Sequence, residues 1–235
     1  MKKILVCNQK MYLTYDEAIN LKEHMEEIDM QNIDLIICPS YLNFDVFKDY
    51  DLGAQNCFYE NKGAFTGEIS SYDLSLRGIK YVLVGHSERR KYDTLDDINL
   101  KIKSILRNSM IPILCVGEEK IDKELMKTGS VIKKQLTTAL KDVYLENDQQ
   151  IIIAYEPRYL IGGKNTLNKD NIIDTFKYIR KIMNQLEIEN YSLLYGGSVH
   201  SENFKDINSD DIDGFLLGAS SVDIQELKNI IKCIK

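Results

Sequence analysis

Two short segments place an ionisable side chain directly after a run of apolar residues. His86 and Glu88 belong to the segment GHSERR, which begins at residue 85, and Glu156 belongs to AYEP, which begins at residue 154. Histidine and carboxylate side chains are the groups that most often move protons in catalysis. Short apolar runs of the kind that precede them are typical of buried strands. The pattern predicts acid/base chemistry by groups at the ends of two strands.

Other strand ends carry polar or glycine-rich turns. Asn8 and Lys10 follow the first apolar run, Ser198 lies in a turn after the seventh, and Gly218 and Ala219 follow the eighth. Backbone N–H groups in such turns and at helix N-termini bind phosphate. An anionic substrate can therefore be held by backbone dipoles, without a cluster of arginines.

The elements that must position these residues are short apolar runs alternating with longer segments of helical period. Most of the runs lack polar alternation, which is typical of strands buried on both faces. The predicted strands are Lys3–Cys7, Leu35–Cys38, Asp51–Ala54, Tyr81–Val84, Ile111–Val116, Ile151–Ala154, Ser192–Tyr195 and Gly214–Leu217. This pattern predicts an α/β protein with a single (β/α)8 barrel over residues 1–235, favoured over a doubly wound open sheet.

Capping signals mark the predicted helices between these strands. Thr14 and Thr94 are each followed three residues later by an acidic residue, which is capping-box spacing. Asn168 and Ser201 are predicted to cap the helices that follow them. A last helix over residues 223–234 completes eight predicted βα units.

Composition excludes several classes of protein. The formal net charge of -6 argues against a nucleic-acid binder and against attachment to an anionic membrane surface. No apolar stretch approaches the length of a membrane span, and the apolar start breaks too soon for a signal peptide. The five cysteines are odd in number and lack CxxC spacing, so reduced thiols are favoured over disulfides or a zinc site. We therefore expect a soluble cytoplasmic protein.

A series of motifs along the whole chain resembles the triosephosphate isomerase family. They occur in the family's order: N-x-KM from residue 8, GAQN from 53, GAFTGEIS from 63, GHSERR from 85, CVGE from 115, AYEP from 154, YGGSV from 195 and GFL from 214. The resemblance implies a TIM barrel that interconverts dihydroxyacetone phosphate and glyceraldehyde 3-phosphate through an enediolate, with no metal or organic cofactor. It also implies a place in glycolysis and gluconeogenesis.

The resemblance assigns roles to five residues. Glu156 would be the general base, and His86 would polarise the substrate carbonyl as a neutral donor. Lys10 would stabilise the developing oxyanion and hold the phosphate side, while Asn8 would donate to a substrate oxygen. Glu88 would orient Lys10. Phosphate would be bound by backbone groups of four residues: Gly162 in the lid, Ser198, Gly218 and Ala219.

The resemblance also implies a homodimer, in which the loop containing Thr66 inserts into the neighbouring subunit beside the strand-one lysine.

The lid after Glu156 departs from the family, since it reads PRYLIGGK at 157–164 where PVWAIGTG is usual. Tyr159 stands at the usual tryptophan and Lys164 at a usual glycine. A lysine is strained at positive φ, so three outcomes are open for this lid. Gly163 takes the positive φ that the turn requires, the lid closes less well over the site, or Lys164 has an ordinary backbone conformation.

Two alternative functions stay open at the level of sequence. One is isomerisation of a related small sugar phosphate, such as a tetrulose phosphate, by the same Glu156 and His86 pair under an altered lid. The other is a non-catalytic phosphate-binding barrel, against which the presence of Lys10, His86 and Glu156 counts strongly. Cys115 is predicted to be a buried packing residue, and His200 a surface or packing residue.

Overall fold

The strands of the computed structural model, which describes residues 2–146, 148–163 and 165–234, close into a parallel barrel in chain order. They are β1 (Lys3–Asn8), β2 (Ile33–Cys38), β3 (Asp51–Ala54), β4 (Tyr81–Val84), β5 (Ile111–Val116), β6 (Ile151–Tyr155), β7 (Tyr191–Tyr195) and β8 (Gly214–Leu217). Val6 of β1 pairs with Ile36 on one side and with Leu216 on the other, which closes the barrel. The predicted (β/α)8 fold is confirmed.

Side chains that alternate along each strand fill two separate cores. Val6 and Ile113 point into the barrel with other strand residues, whereas Leu5 and Leu114 pack outward against the helices. Both faces of each strand are therefore apolar, and this is why the runs in the sequence show no polar alternation. The strand ends, where side chains are no longer needed for packing, are the positions left for chemistry.

The helices surround the barrel, and most begin where the capping signals predicted. They are α1 (Tyr15–Met25), α2 (Ser71–Leu76), α3 (Leu95–Arg107), α4 (Lys120–Glu124), α5 (Thr128–Ala139), α6 (Lys169–Gln185), α7 (Ser201–Ile207) and α8 (Ile224–Ile234). Thr14 and Thr94 form capping boxes with Glu17 and Asp97, and Asn168 caps α6. These three predictions are confirmed.

Two connections differ from the regular alternation that the sequence predicts. After β2 the chain forms a 3-10 helix at Tyr41–Asn43 and turns, with no α-helix, whereas two helices, α4 and α5, follow β5. The prediction that Ser201 caps α7 is wrong: His200 is the N-cap residue, and the Ser201 hydroxyl donates to Glu226 instead. Among the residues described, no helix is long and apolar enough to cross a bilayer.

Candidate active site

The predicted site residues come together at the carboxyl ends of the strands. One cavity of about 500 Å³ is lined by Asn8, the last residue of β1, by Lys10, and by His86 and Glu88 after β4. Glu156, directly after β6, reaches the same place because its carboxylate contacts His86. Parallel strands of a barrel all end on one face, so residues far apart in the sequence meet there.

Glu156 and His86 form a buried pair. Glu156 Oε1 lies 3.3 Å from His86 Nε2, and the two residues are 1% and 5% exposed. On the other side of the ring, the Glu88 backbone N–H donates to His86 Nδ1 at 3.3 Å. Because Nδ1 accepts this bond, the neutral ring carries its hydrogen on Nε2. Glu156 Oε2 is buried without a hydrogen-bond partner, so one carboxylate oxygen is available to accept a proton.

The environment of the pair shifts both pKa values. Burial by itself raises the pKa of Glu156, but the charge and hydrogen bond of His86, the Arg90 charge and the Cys115 thiol outweigh it, and the pKa lies below its usual value. Burial lowers the pKa of His86, but the charge and hydrogen bond of Glu156, together with the Glu88 charge, outweigh burial and the Lys10 charge, and the net shift is upward. Glu156 is therefore ionised at neutral pH, as a proton acceptor must be.

The pair gives a prediction with a definite sign. In Glu156→Gln the pKa of His86 should fall, because the carboxylate that raises it is gone and the burial that lowers it stays. A proton NMR titration of the imidazole signals measures this pKa, and the His86→Gln variant identifies which signal belongs to His86. An unchanged or higher pKa in Glu156→Gln would show that Glu156 does not govern this ring.

Lys10 is held in an uncommon backbone conformation beside the pair. Its φ is 48°, a left-handed value that is strained for a residue other than glycine. Asn8 Oδ1 accepts from the Lys10 N–H at 3.2 Å, and Gln55 Nε2 donates to the Lys10 carbonyl at 2.7 Å. Lys10 Nζ lies 2.7 Å from Glu88 Oε1. Since the Glu88 side chain is 59% exposed, this ion pair adds only about 0–1 kcal/mol to stability and serves to aim the ammonium group.

The turn after β8, one of those predicted to bind phosphate, lies next to Lys10. Lys10 Cε passes within 3.6 Å of the position that a Cβ on Gly218 would occupy. Ala219 begins the 3-10 helix Ala219–Ser221, and its φ is not in the left-handed range, so alanine is tolerated where glycine is common. The Ser198 hydroxyl donates to the carbonyl of Leu160 in the lid.

The backbone conformation of the lid contradicts one of the expectations drawn from its sequence. Its first turn is a 3-10 helix at Arg158–Leu160, and Gly162 then takes a left-handed φ of 76°. Gly163 does not take a left-handed φ, so the expectation that Gly163 absorbs the turn is wrong. The positive φ that the turn requires is taken by Gly162, one residue earlier. Lys164, on which the rest of that expectation depends, lies outside the described residues.

Three residues that contact the site or its loops are missing from the sequence-based prediction. Gln55 fixes the Lys10 carbonyl, and the guanidinium of Arg90 binds the carbonyls of Gly85 and Gly117 at 3.1 and 2.6 Å. Cys115 is buried as predicted, but its thiol also contacts Glu156. Gln55, Arg90 and Cys115 all lie in the quoted motifs, so their motif membership was the available signal.

Comparison with known proteins agrees with this arrangement. The family model described as triosephosphate isomerase matches residues 3–234. The chain belongs to the triosephosphate isomerase family. It is 37% identical to the triosephosphate isomerase of Endomicrobium trichonymphae, with 100% of this chain and 99% of the relative aligned. It is 37% identical to that of Dictyoglomus thermophilum (98% and 99% aligned) and 34% identical to that of Clostridium tetani (98% and 96% aligned).

The side chains of the site can be compared with those that a metal ion would need. Within the part of the chain that the structure describes, no group of three or more His, Cys, Asp or Glu side chains could hold a metal ion. The polar groups that line the cavity in this triosephosphate isomerase family member include the amide of Asn8, the ammonium of Lys10 and the imidazole of His86.

Proposed function

We propose that the chain interconverts dihydroxyacetone phosphate and D-glyceraldehyde 3-phosphate through an enediolate. One observation carries this proposal: the buried carboxylate of Glu156, with one oxygen unpartnered, lies 3.3 Å from the Nε2 of His86 at the mouth of the barrel. A base and a hydrogen-bond donor side by side are what proton transfer between adjacent carbons of a hydroxy ketone requires.

Glu156 is the base in this proposal. Its Oε2 removes a proton from C1 of dihydroxyacetone phosphate. The carboxyl proton then exchanges with solvent, and Oε2 delivers a proton to C2, while Nε2–H of His86 donates to the substrate oxygens in turn. The close approach of Gly196 supports this placement, since a Cβ there would lie only 2.9 Å from Glu156 Cγ. Glycine at 196 therefore leaves room for the carboxylate at the point of reaction.

Lys10 and Asn8 stabilise the negative charge that develops on the substrate. The Asn8 Oδ1 atom already accepts from the Lys10 backbone, so its Nδ2 group is left to donate to a substrate oxygen. The ammonium of Lys10, aimed by Glu88, lies between the pair and the Gly218 turn. A fixed positive charge in a cavity closed to water stabilises an oxyanion more strongly than it would in bulk water.

The phosphate group is bound by backbone N–H groups from the turns after β6, β7 and β8. Gly162, Ser198, Gly218 and Ala219 are the donors in this proposal. The lid brings the first of them over the site, and a closed lid keeps water away from the enediolate.

A coupled assay tests this function against the four-carbon alternative. The purified protein should turn over D-glyceraldehyde 3-phosphate with a kcat/KM of at least about 10⁴ M⁻¹s⁻¹, within the range of ordinary enzymes. A four-carbon sugar phosphate should be turned over more slowly. A preference for the four-carbon substrate would assign the chain the alternative function, and no turnover of either would support a binding barrel.

We also propose that the chain forms a homodimer through the loop containing Thr66. This loop is exposed, and the cavity beside Lys10 extends over Met11 and Tyr12 to Gly67. Met11 is 93% exposed and Phe65 42% exposed, which leaves apolar surface next to the cavity in the single chain. A second copy would cover this surface and place its Thr66 near the site.

Substitutions of two equally exposed methionines test the homodimer. Met11→Asp should convert the dimer to a monomer and lower activity, because a charge would be buried in the apolar interface. Met126→Asp is the control, since Met126 is 92% exposed in a different part of the molecule. Sedimentation velocity at micromolar concentration measures the oligomeric state. A monomeric, fully active wild type, or a dimeric Met11→Asp, would refute the proposal.

A cytoplasmic location is a further proposal. The chain has five cysteines, an odd number, and four of them are buried as free thiols. Free thiols persist in reducing compartments, whereas oxidising ones favour disulfides. The extent of the single domain, 1–235, also stays a prediction.

A further inference from the structure

His200, which the sequence suggests is only a surface or packing residue, contacts the tip of the lid. Its Nε2 lies 3.3 Å from the carbonyl oxygen of Gly163. His200 is the N-cap residue of α7, and its backbone N–H donates to Asn203 Oδ1 at 2.9 Å. The lid tip is thus joined to an element that belongs to the rigid barrel.

The hydrogen in this contact can be assigned from chemistry. A carbonyl oxygen only accepts hydrogen bonds, so Nε2 of His200 must carry the hydrogen. Both the neutral ring with its hydrogen on Nε2 and the protonated ring supply this donor. On the opposite edge of the ring, Nδ1 lies 3.4 Å from Ser220 Oγ and 3.7 Å from Glu226 Oε1.

The groups behind the ring are themselves fixed. Glu226 accepts from the backbone N–H and the hydroxyl of Ser201 at 2.6 and 2.8 Å. The Ser220 hydroxyl donates to the carbonyl of Val199 at 2.7 Å, and Ser220 lies in the turn that begins with Ala219. The His200 ring therefore connects the lid tip to the same turn that is proposed to bind phosphate.

The lid tip has few other means of holding its position. Gly162 has no atom within 4 Å of the place that a Cβ would occupy, so the tip is not packed there. The Gly163 N–H donates to the Leu160 carbonyl at 3.1 Å, which is a bond within the lid itself. Other bonds join the ends of the lid to the loop after β7 and to β7: Ser198 binds the Leu160 carbonyl, and the Tyr195 hydroxyl accepts from the Leu167 N–H at 3.1 Å. His200 acts between these ends, on the Gly163 carbonyl.

We propose that His200 is a positioning residue that holds the lid tip over the substrate phosphate, an inference that rests on the proposed function. By holding the Gly163 carbonyl, Nε2–H restricts movement of the lid tip and so keeps the neighbouring Gly162 N–H over the phosphate. His200 itself does not touch the substrate. Its effect is on how firmly the phosphate is held while the enediolate exists.

A loosely held phosphate has a definite chemical consequence. In the enediolate, an electron pair on the C1 oxygen can form the C1 carbonyl while the C1=C2 pair moves between C2 and C3. The C3–O bond then breaks, and its electron pair leaves with inorganic phosphate. The remaining enol becomes methylglyoxal. Phosphate released per isomerisation therefore reports lid positioning, which a loss of fold stability alone would not change.

Two amide substitutions separate the donor from the rest of the side chain. Glutamine places an N–H about as far from the backbone as Nε2 of histidine, whereas asparagine reaches only as far as Nδ1. His200→Asn should raise phosphate release per isomerisation and lower kcat/KM, each by about 3- to 10-fold, the effect of one net hydrogen bond. His200→Gln should stay within about twofold of wild type. His24→Asn, on the exposed face of α1, is the control and should match wild type.

The outcomes distinguish this inference from the proposed function. A wild type without isomerase activity would overturn the proposed function, and this inference with it. An active wild type whose His200→Asn variant keeps the same product ratio would overturn only the role of His200. Equal defects in His200→Asn and His200→Gln would also overturn it, because the Nε2–H donor would then not be what matters.

Discussion

Replacing Glu156 by glutamine should lower kcat for triose phosphate isomerisation by about 10²- to 10⁴-fold, the range expected when a general base is lost. The substitution keeps the shape of the side chain and a carbonyl oxygen that can still accept from His86 Nε2. It removes only the basic oxygen. The fold should therefore be retained, which circular dichroism and thermal unfolding can verify beside steady-state kinetics.

A second buried carboxylate provides the control. Glu118 is 0% exposed at the end of β5, where its Oε1 accepts from the Tyr155 hydroxyl at 3.1 Å. Glu118→Gln replaces an equally buried carboxyl group without touching the pair of Glu156 and His86. Near-normal turnover in a folded Glu156→Gln, or an equal loss in Glu118→Gln, would contradict the assignment of Glu156 as the base.

Replacing His86 by asparagine should lower kcat by about 10²- to 10³-fold, the usual cost of losing one donor to a developing oxyanion. The asparagine amide reaches only as far as Nδ1, which in the imidazole ring accepts from the Glu88 N–H, so it cannot place an N–H at the position of Nε2. The phosphate turns lie on other loops, so the affinity for inorganic phosphate should be unchanged. Calorimetry of phosphate binding therefore separates a lost donor from a collapsed site.

The pH dependence of the wild type gives a second test of His86. If the neutral ring is the donor, kcat/KM should rise with pH as His86 loses its proton. Because Glu156 raises the pKa of His86, that rise should be centred above 6.5, the ordinary value for histidine. A kcat/KM that is already at its plateau well below pH 6.5, together with full activity in His86→Asn, would exclude this role.

The sequence predicts the barrel and the catalytic pair well because both depend on local patterns. Buried strands are continuous apolar runs, and Glu156 and His86 follow two such runs directly. Parallel strands then bring the two residues to one face whatever the intervening chain does. The strand ends at Ala54, Val84 and Leu217 match the prediction for the same reason.

The features that the sequence does not predict depend on contacts between distant residues. His200 rather than Ser201 caps α7 because Glu226, from α8, takes up the Ser201 hydroxyl. The contact of His200 with Gly163 likewise requires the lid and the loop after β7 to be folded together. No periodicity or spacing in either segment contains that information.

The lid shows the same limit in its backbone. Two adjacent glycines, at 162 and 163, can both take a left-handed φ at no steric cost, so the sequence alone does not choose between them. In the structure Gly162 takes it, directly after the 3-10 turn at Arg158–Leu160. Which of the two glycines takes the left-handed φ therefore depends on where the 3-10 turn ends.

Deuterium exchange tests the central claim, that Glu156 moves a proton through an enediolate, most directly. Wild type and Glu156→Gln are each incubated with dihydroxyacetone phosphate in D₂O, and the products are followed by proton NMR. We predict glyceraldehyde 3-phosphate that carries deuterium at C2, formed at least about 10² times faster by the wild type. Product that forms without deuterium, or equal rates of exchange in the two proteins, would contradict the mechanism.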